Sequence, residues 1–295
     1  MPQNRNLELG RIVKFCISAV MFVCLFLSRG LSRVLGIRRP PRCVVLYYHS
    51  VPAAFRDRFA RQLDLILKHS KPVHPADTDS LKNGVQYCLV TFDDGFSNFI
   101  EIAFPELASR RIPSLLFTIT EALGKSFGPS KTPERVMTPE QLRSLPDTLV
   151  VIGSHTLTHP YLPDLSEGDA REEIAQSRLK LEKLLDKPVR FFSFPFGGLN
   201  PGLVSLCMQA GYSRVFSTLP KCTSFGGKDY CVGRVRVDPW DWHTEFRLKL
   251  AGAYDWLPAA ISLKKRMLRN TFISALGQPG KSNSDGRTRQ SFIHS

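Results

Sequence analysis

A barrel of alternating β-strands and α-helices is the fold this sequence predicts, on three observations. Short apolar runs recur between segments with helical spacing; the most chemically capable residues fall at the ends of those runs; and 295 residues with 43% hydrophobic content leave room for one barrel and little else. The strand candidates are Val44 to His49, Cys88 to Phe92, Ser114 to Thr120, Leu149 to Ser154, Phe191 to Pro195 and Ser213 to Ser217. Between them, Phe55, Phe59, Leu63, Ile66 and Leu67 recur at helical spacing and are expected to face the core. Ser166 with Asp169 reads as a helix-capping signal ahead of Ile174, Leu181, Leu184 and Leu185. No internal repeat divides the region, and Gly197-Gly198 and Gly226-Gly227 read as turns. Such alternation implies a parallel sheet, which does its chemistry at the C-terminal ends of the strands.

The barrel is assigned to residues 43–250. Residues 1–14 are a basic N-terminal segment, 15–28 a hydrophobic anchor or signal segment, 29–42 a basic linker, and 251–295 a basic tail expected to be partly disordered from Gly277. The apolar run from Phe15 to Leu27 is short for a spanning helix, which needs about 20 residues, and has the length of a signal-peptide core. No Ala-x-Ala cleavage pattern follows it. Extended from Ile12 through Leu31 it reaches spanning length, with Lys14 and Arg29 snorkelling to the interfaces, so an uncleaved anchor is the expectation.

The net charge of +14 is unevenly placed. Arg5, Arg11 and Lys14 against Glu8 leave +2 before the apolar run; Arg29, Arg33, Arg38, Arg39 and Arg42 add +5 after it. Beyond Leu263, Lys264, Lys265, Arg266, Arg269, Lys281, Arg287 and Arg289 against Asp285 add +6, which leaves the rest of the chain nearly neutral. Basic charge beside an apolar segment attracts anionic lipid headgroups. It is not interleaved with aromatics on a nucleic-acid motif, which argues against a nucleic-acid partner. Five arginines after the run against three basic residues before it favour a cytoplasmic barrel by the positive-inside tendency. The seven cysteines do not arbitrate compartment; only Cys222 and Cys231 flank a loop at a separation a disulfide could close.

Two motifs carry chemistry. Leu89-Val90-Thr91-Phe92 ends in the adjacent carboxylates Asp93 and Asp94, which repel unless a cation or a proton divides their work, one ligating and the other acting as base. Val150 to Ser154 runs into His155 and His159, imidazoles at i and i+4 that one helical turn would place on one face. Taken singly, the aspartates make a turn and the histidines a surface pair. Together at strand ends, Asp94, His155 and His159 offer one oxygen and two nitrogens, a set that suits a catalytic zinc with an open fourth position, and Asp93 is left unligated.

The chain resembles the polysaccharide deacetylase family, the NodB-homology domain. Thr91-Phe92-Asp93-Asp94-Gly95 matches its first motif, His155-Thr156-Leu157-Thr158-His159 its second, and Phe192-Ser193-Phe194-Pro195-Phe196-Gly197 a variant of its third, over roughly Cys43 to Leu250. The resemblance implies a deformed (β/α) barrel that hydrolyses the N-acetyl group of an amino sugar. Asp93 would be its base, Asp94, His155 and His159 the holders of a divalent metal, and the Phe196 backbone N–H an oxyanion donor. Many members carry arginine where this chain has Ser193, which cannot supply that charge, and the late Leu-x-His bearing the general acid is not evident; His243 does not sit in such a motif. Leu46-Tyr47-Tyr48-His49 is the substitute: it resembles the exopolysaccharide and poly-N-acetylglucosamine subgroup, in which the barrel is circularly permuted and the acid-bearing strand comes first. That implies His49 as acid and a site outside the cytoplasm, against the arginine bias. Two alternatives stand beside it: a membrane-tethered carbohydrate-binding protein with a degenerate site, and a metal-dependent amidohydrolase acting on a non-sugar amide.

Overall fold

The computed structural model describes residues 2–129, 131–225 and 229–263, so the tail beyond Leu263 and the Gly226-Gly227 turn lie outside the described residues. The described residues up to Leu257 group as one compact unit. In chain order the elements are α1 (Pro2–Val34), β1 (Arg42–Tyr48), α2 (Arg56–His69), β2 (Lys71–Pro72), β3 (Gln86–Phe92), α3 (Phe104–Ser109), β4 (Ser114–Thr118), β5 (Ser126–Phe127), β6 (Glu134–Arg135), α4 (Pro139–Arg143), β7 (Val150–Ser154), α5 (Glu167–Leu185), β8 (Phe191–Ser193), α6 (Pro201–Gln209), β9 (Arg214–Phe216), β10 (Cys231–Val232), β11 (Val235–Arg236) and α7 (His243–Leu250).

Nine strands form one sheet in the order β10-β9-β8-β7-β4-β3-β1-β11, with β2 against β3. Every pairing in it is parallel. The first strand of the barrel therefore lies beside the last, Leu46 opposite Val235. Its two edge strands, β10 and β11, are consecutive in the chain with only Gly233 and Arg234 between them. That dipeptide bridges the two ends of the curled sheet. A side chain at 233 would press on the Leu219 carbonyl and on Lys221, so glycine is required there.

The strands read as unbroken apolar runs because both of their faces are buried. Val44, Leu46 and Tyr48 of β1 and Cys88, Val90 and Phe92 of β3 face the helices, in a core with Phe59, Leu63 and Ile66 of α2 and Ile174 and Leu181 of α5. Their neighbours Cys43, Val45, Tyr87 and Leu89 point the other way, into a second cluster with Leu115, Phe117 and Phe216. Ser166 caps α5 by accepting from the Asp169 amide. Leu67 departs from the expected stripe and is exposed, one residue past the buried Ile66 and at the outer edge of the α2 face.

The basic segment, the apolar run and the start of the basic linker are one continuous helix, α1. Its stretch Leu9–Val34 is long and apolar enough to cross a membrane. One face of it lies along the barrel unit. Arg11 donates to Glu245 at 3.0 Å, the Phe15 ring meets Trp242, Ser18 accepts from the Trp256 indole at 3.0 Å, and Arg29 donates to Gln86 at 3.0 Å. Phe22 and Leu25 join Leu248 and Tyr254. The seven cysteines are free thiols, Cys222 and Cys231 included.

Candidate active site

Four neighbouring strands, β1, β3, β4 and β7, deliver the site by ending side by side. The last backbone bond of β3 runs from the Asp93 amide to the Tyr48 carbonyl at 2.9 Å, and the His155 amide donates to the Thr118 carbonyl at 2.9 Å, so Asp93, Asp94 and His155 emerge at one rim. Gly95 then turns the chain at φ +74°, in a space where a side chain would strike Thr118.

Asp94, His155 and His159 each present a ligand atom within 4.8 Å of the others. The Asp94 Oδ1 lies 3.6 Å from His155 Nε2 and 3.5 Å from His159 Nε2. The histidines are not on a helical turn, as the i, i+4 spacing led one to expect: residues 155–159 form a loop after β7. Thr156 and His159 take left-handed backbone there, and the Thr156 hydroxyl accepts from the His159 amide at 2.9 Å. Glu173 of α5 fastens the loop from outside, accepting from the Leu157 and Thr158 amides at 2.9 and 3.0 Å and from the Thr158 hydroxyl at 2.7 Å. Of the seven non-glycine residues with positive φ among the described residues, four (Asp94, Thr156, His159 and Phe196) belong to this rim, so backbone strain is concentrated at the site.

The three groups fit a divalent cation. Asp94 Oδ1 is buried with no hydrogen-bond partner among the described residues, an orphan acceptor that a cation would satisfy. His155 Nδ1 is engaged by the Ser193 carbonyl at 2.7 Å, which leaves Nε2 for a ligand. Burial drives the imidazoles down, His155 to about 3 and His159 to about 4, so both are neutral and their lone pairs are available. Burial and the adjacent Asp93 push Asp94 up to about 8, the mark of a carboxylate placed without a cationic protein partner.

Asp93 is the opposite case. Arg234, fully buried, grips it in a two-pronged ion pair at 2.7 and 2.8 Å. Burial alone would raise Asp93, yet Arg234 holds it down to about 2. The guanidinium also donates to Thr91 Oγ1 at 3.1 Å, Ser193 Oγ at 2.7 Å and the Ser217 carbonyl at 3.2 Å, and lies over the rings of Tyr47 and Phe117. The missing charge at Ser193 is thus supplied from elsewhere. Ser193 is small enough to admit the arginine that closes the barrel and polar enough to bind it. Arg234 and Glu173 are what sequence reasoning missed; no motif spacing pointed to a residue 141 positions beyond Asp93.

His49 follows β1 directly, half-buried against Tyr47 with ring centroids 5.6 Å apart. Burial holds it below its ordinary value while Asp93 opposes that shift. Its charge is also felt at His159. His243 lies apart, exposed at the start of α7, where it lines a surface cavity with Arg58 and Arg61. The Phe196 ring packs against His159 at 4.7 Å, and its backbone is left-handed at φ 56°. Among the described residues its amide has no hydrogen-bond partner.

Residues 81–215 match the family model described as polysaccharide deacetylase. YxkH of Bacillus subtilis, a curated relative that carries the polysaccharide deacetylase name, is 26% identical over 214 residues, 68% of this chain and 73% of the relative. Among solved structures, IcaB from Ammonifex degensii superposes with a TM-score of 0.64 at 27% identity, over 73% of this chain and 98% of that one. A de-N-acetylase from Aggregatibacter actinomycetemcomitans shares the fold at TM-score 0.60 and 17% identity, over 70% of this chain and 99% of that one.

Proposed function

We propose that the chain, which matches the polysaccharide deacetylase model over residues 81–215 and superposes on IcaB, is a carbohydrate N-deacetylase that removes N-acetyl groups from amino-sugar residues of a polysaccharide or glycoconjugate, using a divalent ion held by Asp94, His155 and His159. The observation that carries this reading is the division of labour between adjacent aspartates, one clamped by Arg234 and the other facing two neutral imidazoles. One oxygen and two nitrogens favour zinc. Such an ion supplies Lewis acidity, polarising an amide carbonyl and easing ionisation of water.

The chain's own residues do the rest. Asp93, ionised and immobile, takes the proton from the attacking water. Arg234 acts on it as a positioning residue, fixing the carboxylate through both oxygens. The Phe196 N–H donates to the developing oxyanion. His49 gives a proton to the departing amine, which is otherwise a very poor leaving group. The argument for a degenerate binding protein rested on Ser193 and an absent late acid; Arg234 and His49 weaken both parts of it. Helix α1 supports attachment to a membrane, with the barrel outside the cytoplasm where N-acetylated polymers are found.

Acetate release from N-acetylated glycans, including chitooligosaccharide, poly-N-acetylglucosamine, peptidoglycan and lipid-linked sugar, tests activity and substrate at once. Exhaustive chelation is expected to abolish release and zinc to restore it. Full activity of the metal-free protein would sink the metal-hydrolase reading, and acetate from non-sugar amides alone would favour the amidohydrolase alternative.

A further inference from the structure

The end of the barrel opposite the site holds a concentration of charge that the chemistry above does not use. Arg29 and Arg33 of α1, Arg38 and Arg39 of the following segment, and Arg42 at the start of β1 line a single cavity of about 980 Å³. Among the described residues, Asp255 is the one acidic residue in its wall. That carboxylate is already engaged, by Arg42 at 2.9 Å and by the Cys222 amide at 3.1 Å. Five guanidiniums in one concavity repel one another and favour an anion between them.

Local structure accounts for only some of these cations. Arg39 donates to the Ser28 carbonyl and the Ser32 hydroxyl, as a basic residue at a helix C-terminus should, and Arg29 is taken by Gln86 and the Ala251 carbonyl. Arg33 and Arg38 make no hydrogen bond or ion pair among the described residues, and the buried Arg42 Nε has no partner. Ile37, itself exposed, lines the cavity, and the outer face of α1, turned away from the cavity, exposes Leu27, Leu31 and Val34; Val34 is 84% exposed. A cationic cavity at the end of a helix whose outer face is apolar matches an anionic lipid at a bilayer surface, with the phosphate among the arginines. The opposite face of α1 is occupied by the barrel unit from Arg11 to Arg29, so only this outer face is open to a bilayer.

We propose that the cavity between the C-terminal end of α1 and the start of β1 binds the phosphate of an anionic phospholipid headgroup. This rests on the reading that α1 meets a membrane. Six residue steps along β1, about 3.3 Å each, separate Arg42 from the Tyr48 that adjoins the catalytic rim, so the lipid site and the reaction are roughly 20 Å apart.

The test uses the full-length protein with vesicles of phosphatidylcholine alone or mixed with phosphatidylglycerol, and native mass spectrometry of the lipid retained. Wild type is expected to retain phosphatidylglycerol preferentially. The double variant Arg33→Glu/Arg38→Glu is expected to lose that preference by about tenfold or more, while acetate release from a short soluble substrate stays unchanged. Lys14→Glu, on α1 but outside the cavity, is expected to keep it. No preference in wild type, an unchanged preference in the double variant, or an equal loss in Lys14→Glu would each overturn the cavity as the site. Displacement of the lipid by inorganic phosphate at equal concentration would overturn the lipid assignment in favour of free phosphate. Failure to bind even neutral vesicles overturns the membrane reading itself, a result distinct from binding without headgroup preference.

Discussion

Asp93 and Asp94 share a peptide bond and almost nothing else. Asp93→Asn is expected to keep the metal and lower kcat by about 10² to 10⁴, the usual contribution of a positioned base; Asp94→Asn is expected to lose the metal. Equal metal loss in both, measured on the purified proteins, would refute the division of roles. His49→Ala should lower kcat over a similar range at unchanged metal content. Arg234 admits a sharper test, because it touches Asp93 on both oxygens. Arg234→Met leaves a buried charge unpaired and should destabilise the fold by about 3 to 5 kcal/mol, which denaturant unfolding will report. Arg234→Lys keeps the charge but not the fork; kcat should recover in part while KM stays near the wild-type value. A lysine variant as inactive as the methionine one, yet fully folded, would show that orientation alone and not charge is what Arg234 contributes. Asp93, Asp94, His155 and His159 were legible in the sequence because each pair is local. Arg234 was not, since one arginine among many has no spacing to mark it.

At the scale of elements, the histidine loop depends on α5. Glu173 satisfies two loop amides and a hydroxyl, so it sets the direction of His159 without touching the metal position. Glu173→Ala should weaken zinc affinity by about 10- to 100-fold with little change in unfolding, and a competition titration against a chelator will measure it; unaltered affinity would mean that the left-handed residues hold the loop unaided. The spacing of His155 and His159 misled as to conformation for a physical reason. Helical turns and tight loops both bring i and i+4 together, and the choice falls to Thr156, whose side chain bonds the His159 amide in place of a helical carbonyl. Strand positions were readable to within two residues or so, since both faces are apolar. The dipeptide strands β10 and β11 were not, because two residues carry no period.

For the whole molecule, topology is the open quantity that one experiment decides. Reporters active only inside or only outside the cytoplasm, fused after Ser295, are expected to report the outside. A cytoplasmic result would agree with the arginine bias and redirect the substrate search to lipid-linked or nucleotide-linked sugars. The continuous α1 also changes what the N-terminal region is. Segments that differ in composition, basic, apolar and basic again, form a single rod with one face against Glu245, Trp242 and Trp256.

Sequence alone determined the alternation of strands and helices and singled out Asp94, His155, His159 and the neighbouring Asp93 as candidates, because periodicity and short motifs are local properties that survive without a structure. Only the tertiary structure decided where the charge for Asp93 comes from, that His243 lies away from the rim, and that five arginines converge on one cavity. Those are contacts between distant residues. They exist because a parallel sheet curls until its last strand meets its first, and the closing dipeptide Gly233-Arg234 then places a guanidinium inside the barrel at the one point where a buried carboxylate needs it.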